Sequence, residues 1–171
     1  MSGAAPTIVF VALVGAAGII DARTRRIPNP LTLSLLLAGL LLRAWEGLLP
    51  FVDGVLGALG AVVLSLLLFR VGALGGGDGK LLIGIGAFLG WQRLPGALLM
   101  IGVLGGFLGI AEAVRRGVIV PALLNAGRMI RFWLTLGREG ERRTLTSPGA
   151  VAVPYGLAIA LGAIVWWFWG G

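Results

Sequence analysis

Two aspartates carry the chemistry open to this chain. Asp21 follows Ile19-Ile20 directly, and Asp78 follows Leu74-Gly75-Gly76-Gly77. The other five of the seven acids have simpler settings. Glu139 and Glu141 lie among arginines, Glu46 and Asp53 flank one short connection, and Glu112 comes just before Arg115 and Arg116. There is no Cys and no His in the 171 residues. That removes the serine–histidine triad, the cysteine nucleophile, and the usual zinc and haem ligands. Neither a metal site nor a cofactor is expected. What remains is chemistry from Asp, Glu, Lys, Arg, Ser, Thr, Tyr or the backbone, and among these the acids stand out. Two acids held together cannot both ionise easily, so the pair shares a proton. The ionised member can activate a water, and the protonated member can polarise a carbonyl and protonate a leaving group.

The elements that position these acids follow from composition. The chain is 58% hydrophobic and only 12% charged, where a soluble domain carries about 25% charged residues. Mean hydropathy is +1.00. An ordinary soluble domain and a disordered chain are both excluded. The pattern predicts an all-α, polytopic membrane protein of a single domain over 1–171. Six spans are expected, at roughly 4–20, 30–45, 52–70, 79–93, 96–114 and 150–169. The second and fourth are short and need flanking residues that snorkel.

The net charge of +7 comes from 14 bases, all Arg except Lys80. In a chain this apolar it reports membrane orientation rather than a nucleic-acid partner. The first flank, Met1 to Thr7, has no base, while Arg23, Arg25 and Arg26 follow the first span. That is the wrong polarity for a secretory signal. Alternating sides puts twelve of the 14 bases inside and leaves Arg43 and Arg93 outside. Both termini are then outside, and Trp45, Trp91, Trp166, Trp167 and Trp169 fall near outer ends, as an aromatic belt. The one long loop, 115–148, is expected in the cytoplasm. Its Arg128, Arg131, Thr135 and Arg138 share one helical arc, opposite Leu123, Ala126, Met129, Ile130, Trp133 and Leu134. That pattern predicts an interfacial helix on anionic lipid.

Asp21 follows one crossing and Asp78 three, so both carboxylates emerge on one face. Ionisable groups at membrane depth mark function by default. The plainer alternatives are an N-cap role for Asp78 and pairing of Asp21 with Arg23 or Arg25. Gly75-Gly76-Gly77 offers positive φ and close approach of an extended chain beside the acids. Lys80 either pairs with a substrate acid, tunes Asp78, or snorkels to the inner interface. Ile27-Pro28-Asn29-Pro30 stops one helix and starts the next, with Pro30 in the first turn. Pro154 has the same plain reading at the start of the last span.

Asp21-Ala-Arg-Thr-Arg-Arg-Ile-Pro-Asn29 and Gly75-Gly-Gly-Asp78-Gly-Lys80-Leu-Leu resemble the type IV prepilin leader peptidases. The second element matches the GxGD signature of membrane aspartic proteases. Val153-Pro154-Tyr155-Gly156 resembles the Pro-aromatic-Gly motif that opens the family's last span. The size resembles the short subfamily serving tight-adherence (Flp) pili. The resemblance implies an endopeptidase of the bacterial inner membrane that cuts the leader of prepilins or pilin-like proteins at the cytoplasmic face. It makes Asp21 and Asp78 catalytic, with Gly75, Gly76, Gly77, Lys80, Pro154, Tyr155 and Gly156 shaping the site. Larger members carry an extra cytoplasmic part, often with cysteine pairs, associated with N-methylation. The first span here begins almost at Met1 and Cys is absent, so methyl transfer is not expected. Prepilin and lipid are the partners the resemblance implies, and no oligomeric state follows from the sequence. The rival from another class is a small proton- or cation-coupled transporter using the same two acids near the midplane. A scaffold whose acids only cap helices is the third reading.

Overall fold

The computed structural model describes residues 3–70, 72–124, 127 and 155–170. Among the described residues there are helices and no strands, the all-α class the composition predicts. Among the described residues, besides a helical stretch at 119–124, these helices follow in order: α1 (Ala4–Thr24), α2 (Asn29–Glu46), α3 (Leu48–Arg70), α4 (Gly76–Arg115) and α5 (Tyr155–Trp169). Three of them, α1, α3 and α4, are long and apolar enough to cross a membrane. Most of the proposed interfacial helix, and Pro154, lie outside the described residues.

The helix ends follow local chemistry. Arg25 closes α1 in the left-handed region (φ 53°), and its N–H reaches the Asp21 carbonyl at 2.8 Å. Pro28 is extended and caps α2, with Pro30 in the first turn as expected. Asp21 therefore lies inside the last turn of α1, not beyond its end as the 4–20 span placed it.

The largest departure from expectation is in α4. The fourth and fifth expected spans are its two arms, which break at a single residue, Gly90 (φ 77°, ψ 171°), rather than at 93–96. The expected spans 79–93 and 96–114 placed the break near Arg93; Pro95 sits inside the second arm without ending it. Packing pairs show that the arms, 76–89 and 91–115, run in opposite directions. Along the second arm, Gly96, Ile101 and Gly105 meet Trp166, Gly162 and Ala158 in turn, so this arm is antiparallel to α5. Along α5, Gly156, Ala160 and Trp167 meet Asp21, Gly18 and Thr7, so α5 is antiparallel to α1. The first arm is also antiparallel to α1, since Phe88 packs on Phe10 at 5.2 Å while Asp78 lies towards Asp21.

One ion pair holds this reversal. Arg43 on α2 and Asp53 on α3 meet at 2.8 Å. Arg43 Nε donates to the Phe88 carbonyl at 2.9 Å, an acceptor left free where the first arm ends. Asp53 Oδ1 accepts the Trp91 N–H at 3.0 Å and the Gln92 N–H at 3.4 Å, donors left free where the second arm begins. The pair therefore caps both arms from neighbouring helices. Arg43 is buried within α2, which corrects its placement in an outer loop. A side chain at 90 would run into Asp53, and its positive φ favours glycine in any case.

Lipid is as apolar as leucine, so helices in it associate through close packing of small residues rather than through hydrophobic burial. Gly57 and Gly86 bring the α3 and α4 backbones together: a Cβ at 86 would lie 2.5 Å from the Gly57 carbonyl oxygen. Large apolar residues such as Leu56, Leu59, Val63 and Leu66 are left on the outside of α3. Trp45 and Trp169 are exposed, but Trp167 is buried and stacks on Phe10 at 4.5 Å. Trp167 therefore belongs to the core and not to a belt, because α5 is wedged between α1 and α4.

Candidate active site

Three helix ends and one connection meet where Asp21 and Asp78 lie. Asp21 is buried in the last turn of α1. Its Oδ2 accepts the Gly156 backbone N–H at 2.8 Å, one of the donors left free in the first turn of α5. A Cβ at 156 would lie 2.7 Å from Asp21 Cγ, so only a glycine lets this N–H come so near. Among the described residues no ion pair joins Asp21 to Arg23 or Arg25, so the plain pairing reading does not hold.

Asp78 is the third residue of α4. The cap is Gly75, in an extended conformation, and the Asp78 side chain folds back over it: a Cβ at 75 would lie 2.9 Å from Asp78 Oδ2. That corrects the N-cap reading: Asp78 fills the acidic position of a capping box from inside the helix. The first turn is also held from below, since the Ser65 hydroxyl on α3 donates to the Gly79 carbonyl at 3.3 Å. The two carboxylates are near enough for the charge of Asp21 to act on Asp78. Asp78 in turn acts on Tyr155, the first residue of α5.

The glycine run is used differently from the expectation. Gly75 is extended at φ −77° and Gly76 and Gly77 are helical, so none of the three takes a positive φ. Gly76 faces open space, whereas a Cβ at 77 would lie 3.5 Å from Ile27 Cβ. The connection after α1 thus packs on the first turn of α4. Lys80 is committed inside the chain: its Nζ donates to Asn29 Oδ1 at 2.8 Å. Sequence reasoning passed over Asn29 as part of a helix-breaking Pro-Asn-Pro segment. Glu112 pairs with Arg115 at 3.1 Å and Arg116 at 2.6 Å, and Asp53 is held at the far end of the bundle. Chemically, the site offers two carboxylates, that of Asp21 anchored by a backbone N–H, and a phenol beside them.

Residues 8–110 match the model of the type IV leader peptidase family, a segment that contains both Asp21 and Asp78. The chain belongs to that family. It is 44% identical over 105 residues to a prepilin leader peptidase/N-methyltransferase of Dickeya chrysanthemi, covering 57% of this chain and 35% of that protein. Similar proteins of the same name are found in Aeromonas hydrophila (37% over 141 residues; 74% of this chain, 47% of the relative) and Escherichia coli strain K12 (36% over 138; 75% and 58%). The chain thus spans less than half the length of the first two of these relatives. No solved structure matches it.

Proposed function

We propose that this member of the type IV leader peptidase family is a bacterial inner-membrane aspartic endopeptidase that removes the leader of prepilins or pilin-like proteins. Asp21 and Asp78 are its catalytic pair. The observation that carries the reading is the convergence of the helix ends that bear Asp21 and Asp78, with Gly77 against Ile27 and the Gly156 N–H on Asp21, in a chain with no Cys or His. The ionised acid takes a proton from a water, whose oxygen attacks the scissile carbonyl carbon. The protonated acid gives its proton to the carbonyl oxygen, forming a tetrahedral diol. Collapse breaks the C–N bond as a proton passes to the leaving amine. The two acids exchange roles during the cycle, and the Gly156 N–H keeps the Asp21 carboxylate in one orientation.

The reading covers peptide cleavage without methyl transfer. The test is conversion of a tight-adherence prepilin by this chain in bacterial membranes supplied with S-adenosylmethionine. The expected product has lost its leader and carries an unmodified N-terminus. An uncut prepilin would overturn the peptidase reading, and an N-methylated product would overturn the restriction to cleavage.

The proposed orientation has both termini outside and the acid pair at the cytoplasmic face. Twelve of the 14 bases fall on that inner side, which supports it. A single cysteine introduced as Thr24→Cys should react with an impermeant reagent only from the cytoplasm, and Leu48→Cys only from outside. Reaction of both from one side would reverse the span order.

A further inference from the structure

The acid pair is carried by two segments that lie far apart in the chain, the end of α1 and the start of α4, with α2 and α3 between them. The Asn29–Lys80 hydrogen bond ties these segments. Asn29 stands eight residues after Asp21, at the start of α2, and Lys80 stands two residues after Asp78. The bond is 2.8 Å long and joins positions 51 apart. Beneath it, Gly77 packs on Ile27, so the same two segments touch again within the same turn. Lys80 is the one lysine among 14 bases, and its ammonium is engaged by a neutral amide oxygen rather than by either catalytic acid. A neutral partner fixes the ammonium without adding a third negative charge beside the pair.

We infer that Asn29 and Lys80 form a positioning clamp that sets the spacing of Asp21 and Asp78 for cleavage. The inference rests on the catalytic reading above. Neither residue touches the reacting atoms; each acts through the segment it fixes. A displacement of about 1 Å in a reacting group costs about a hundredfold in rate. An unclamped pair therefore loses turnover, while a substrate held elsewhere on the enzyme binds as before.

Two readouts test this on the whole chain in membranes. The first is geometric and independent of activity. In a chain without native Cys, an Ile27→Cys/Gly77→Cys pair has only itself to bond with. Its Cβ separation of 3.5 Å suits a disulfide, for which about 3.5–4.5 Å is usual. Adding Asn29→Ala or Lys80→Met to that pair should lower the disulfide yield under mild oxidation several-fold.

The second readout is kinetic. In the otherwise unaltered chain, Asn29→Ala and Lys80→Met should each lower kcat about tenfold or more with KM for prepilin unchanged. The double variant should be no worse than the worse single one, as for partners in one contact. Asn29→Asp keeps an acceptor oxygen for Lys80 and should keep more of kcat than Asn29→Ala, the added charge accounting for its shortfall from wild type. Unchanged disulfide yield would overturn the clamp. So would a raised KM with kcat kept, or loss on Lys80→Met without loss on Asn29→Ala, since both would place Lys80 on substrate. Cleavage that survives Asp78→Asn would instead overturn the catalytic reading, and the disulfide yields would still decide the clamp.

Discussion

Replacing either Asp21 or Asp78 by Asn is expected to lower leader cleavage roughly a thousandfold or more. The pair works as a unit, because one acid must hold a proton while the other takes one. An amide can do neither, so a single replacement removes the whole function. The fold should survive both changes. An Asp21→Asn side chain keeps an amide oxygen that can still accept the Gly156 N–H, which Asp21 accepts at 2.8 Å. An Asp78→Asn side chain has the same shape and can keep the same place over Gly75. Asp→Glu replacements should also fail or nearly fail. The added methylene moves the carboxylate, and at position 21 the space is already closed by Gly156. Glu112→Gln is the matched control: it removes a charge near the same predicted face, but its contacts are with Arg115 and Arg116. Activity should largely survive it. Conversion of prepilin in membranes, with enzyme abundance measured alongside, reads all five variants.

The second large effect is on stability. Arg43→Met and Asp53→Ala should each cost roughly 3 kcal/mol, because each leaves a largely buried charge without its partner. Each also uncaps one arm of α4, Arg43 at the Phe88 carbonyl and Asp53 at the Trp91 N–H. The double variant Arg43→Met/Asp53→Leu should lose less than the sum of the single losses, since no charge is then left alone. Gly90→Ala should destabilise through a different cause, a side chain at φ 77° directed at Asp53. Equilibrium unfolding in mixed micelles measures these differences. Wild-type midpoints for both single charge variants would show that the reversal at Gly90 is held by something else.

Much of this arrangement was legible in the sequence, and the failures have identifiable causes. Asp21 and Asp78 stood out because long apolar runs on either side left little other chemistry, and parity of crossings put them on one face. The helix class followed from the same runs. The break in α4 was misplaced because Arg93 is the one charge between two apolar runs, whereas Gly90 is one of 30 glycines. What fixes Gly90 as the break is Asp53 and Arg43, which lie 37 and 47 positions away in the chain. A signal for that pair did exist: opposite charges at similar distances on either side of Gly47, in otherwise apolar helices. Gly156 was singled out by resemblance alone, and its contact with Asp21 spans 135 positions. No local pattern carries such a contact. Trp167 was misread because a tryptophan near a helix end suits lipid headgroups and a packed core equally well.

The central claim is that these two carboxylates, with water, cut a prepilin without help from another protein. The most direct measurement uses the purified chain in lipid vesicles with a purified prepilin, and reads product masses by mass spectrometry. The account predicts that the wild-type chain yields two products, leader and mature pilin, whose masses sum to that of prepilin plus one water. An equal amount of folded Asp78→Asn chain should yield neither. Cleavage by the Asp78→Asn chain at the wild-type rate, or none by the wild-type chain, would contradict it.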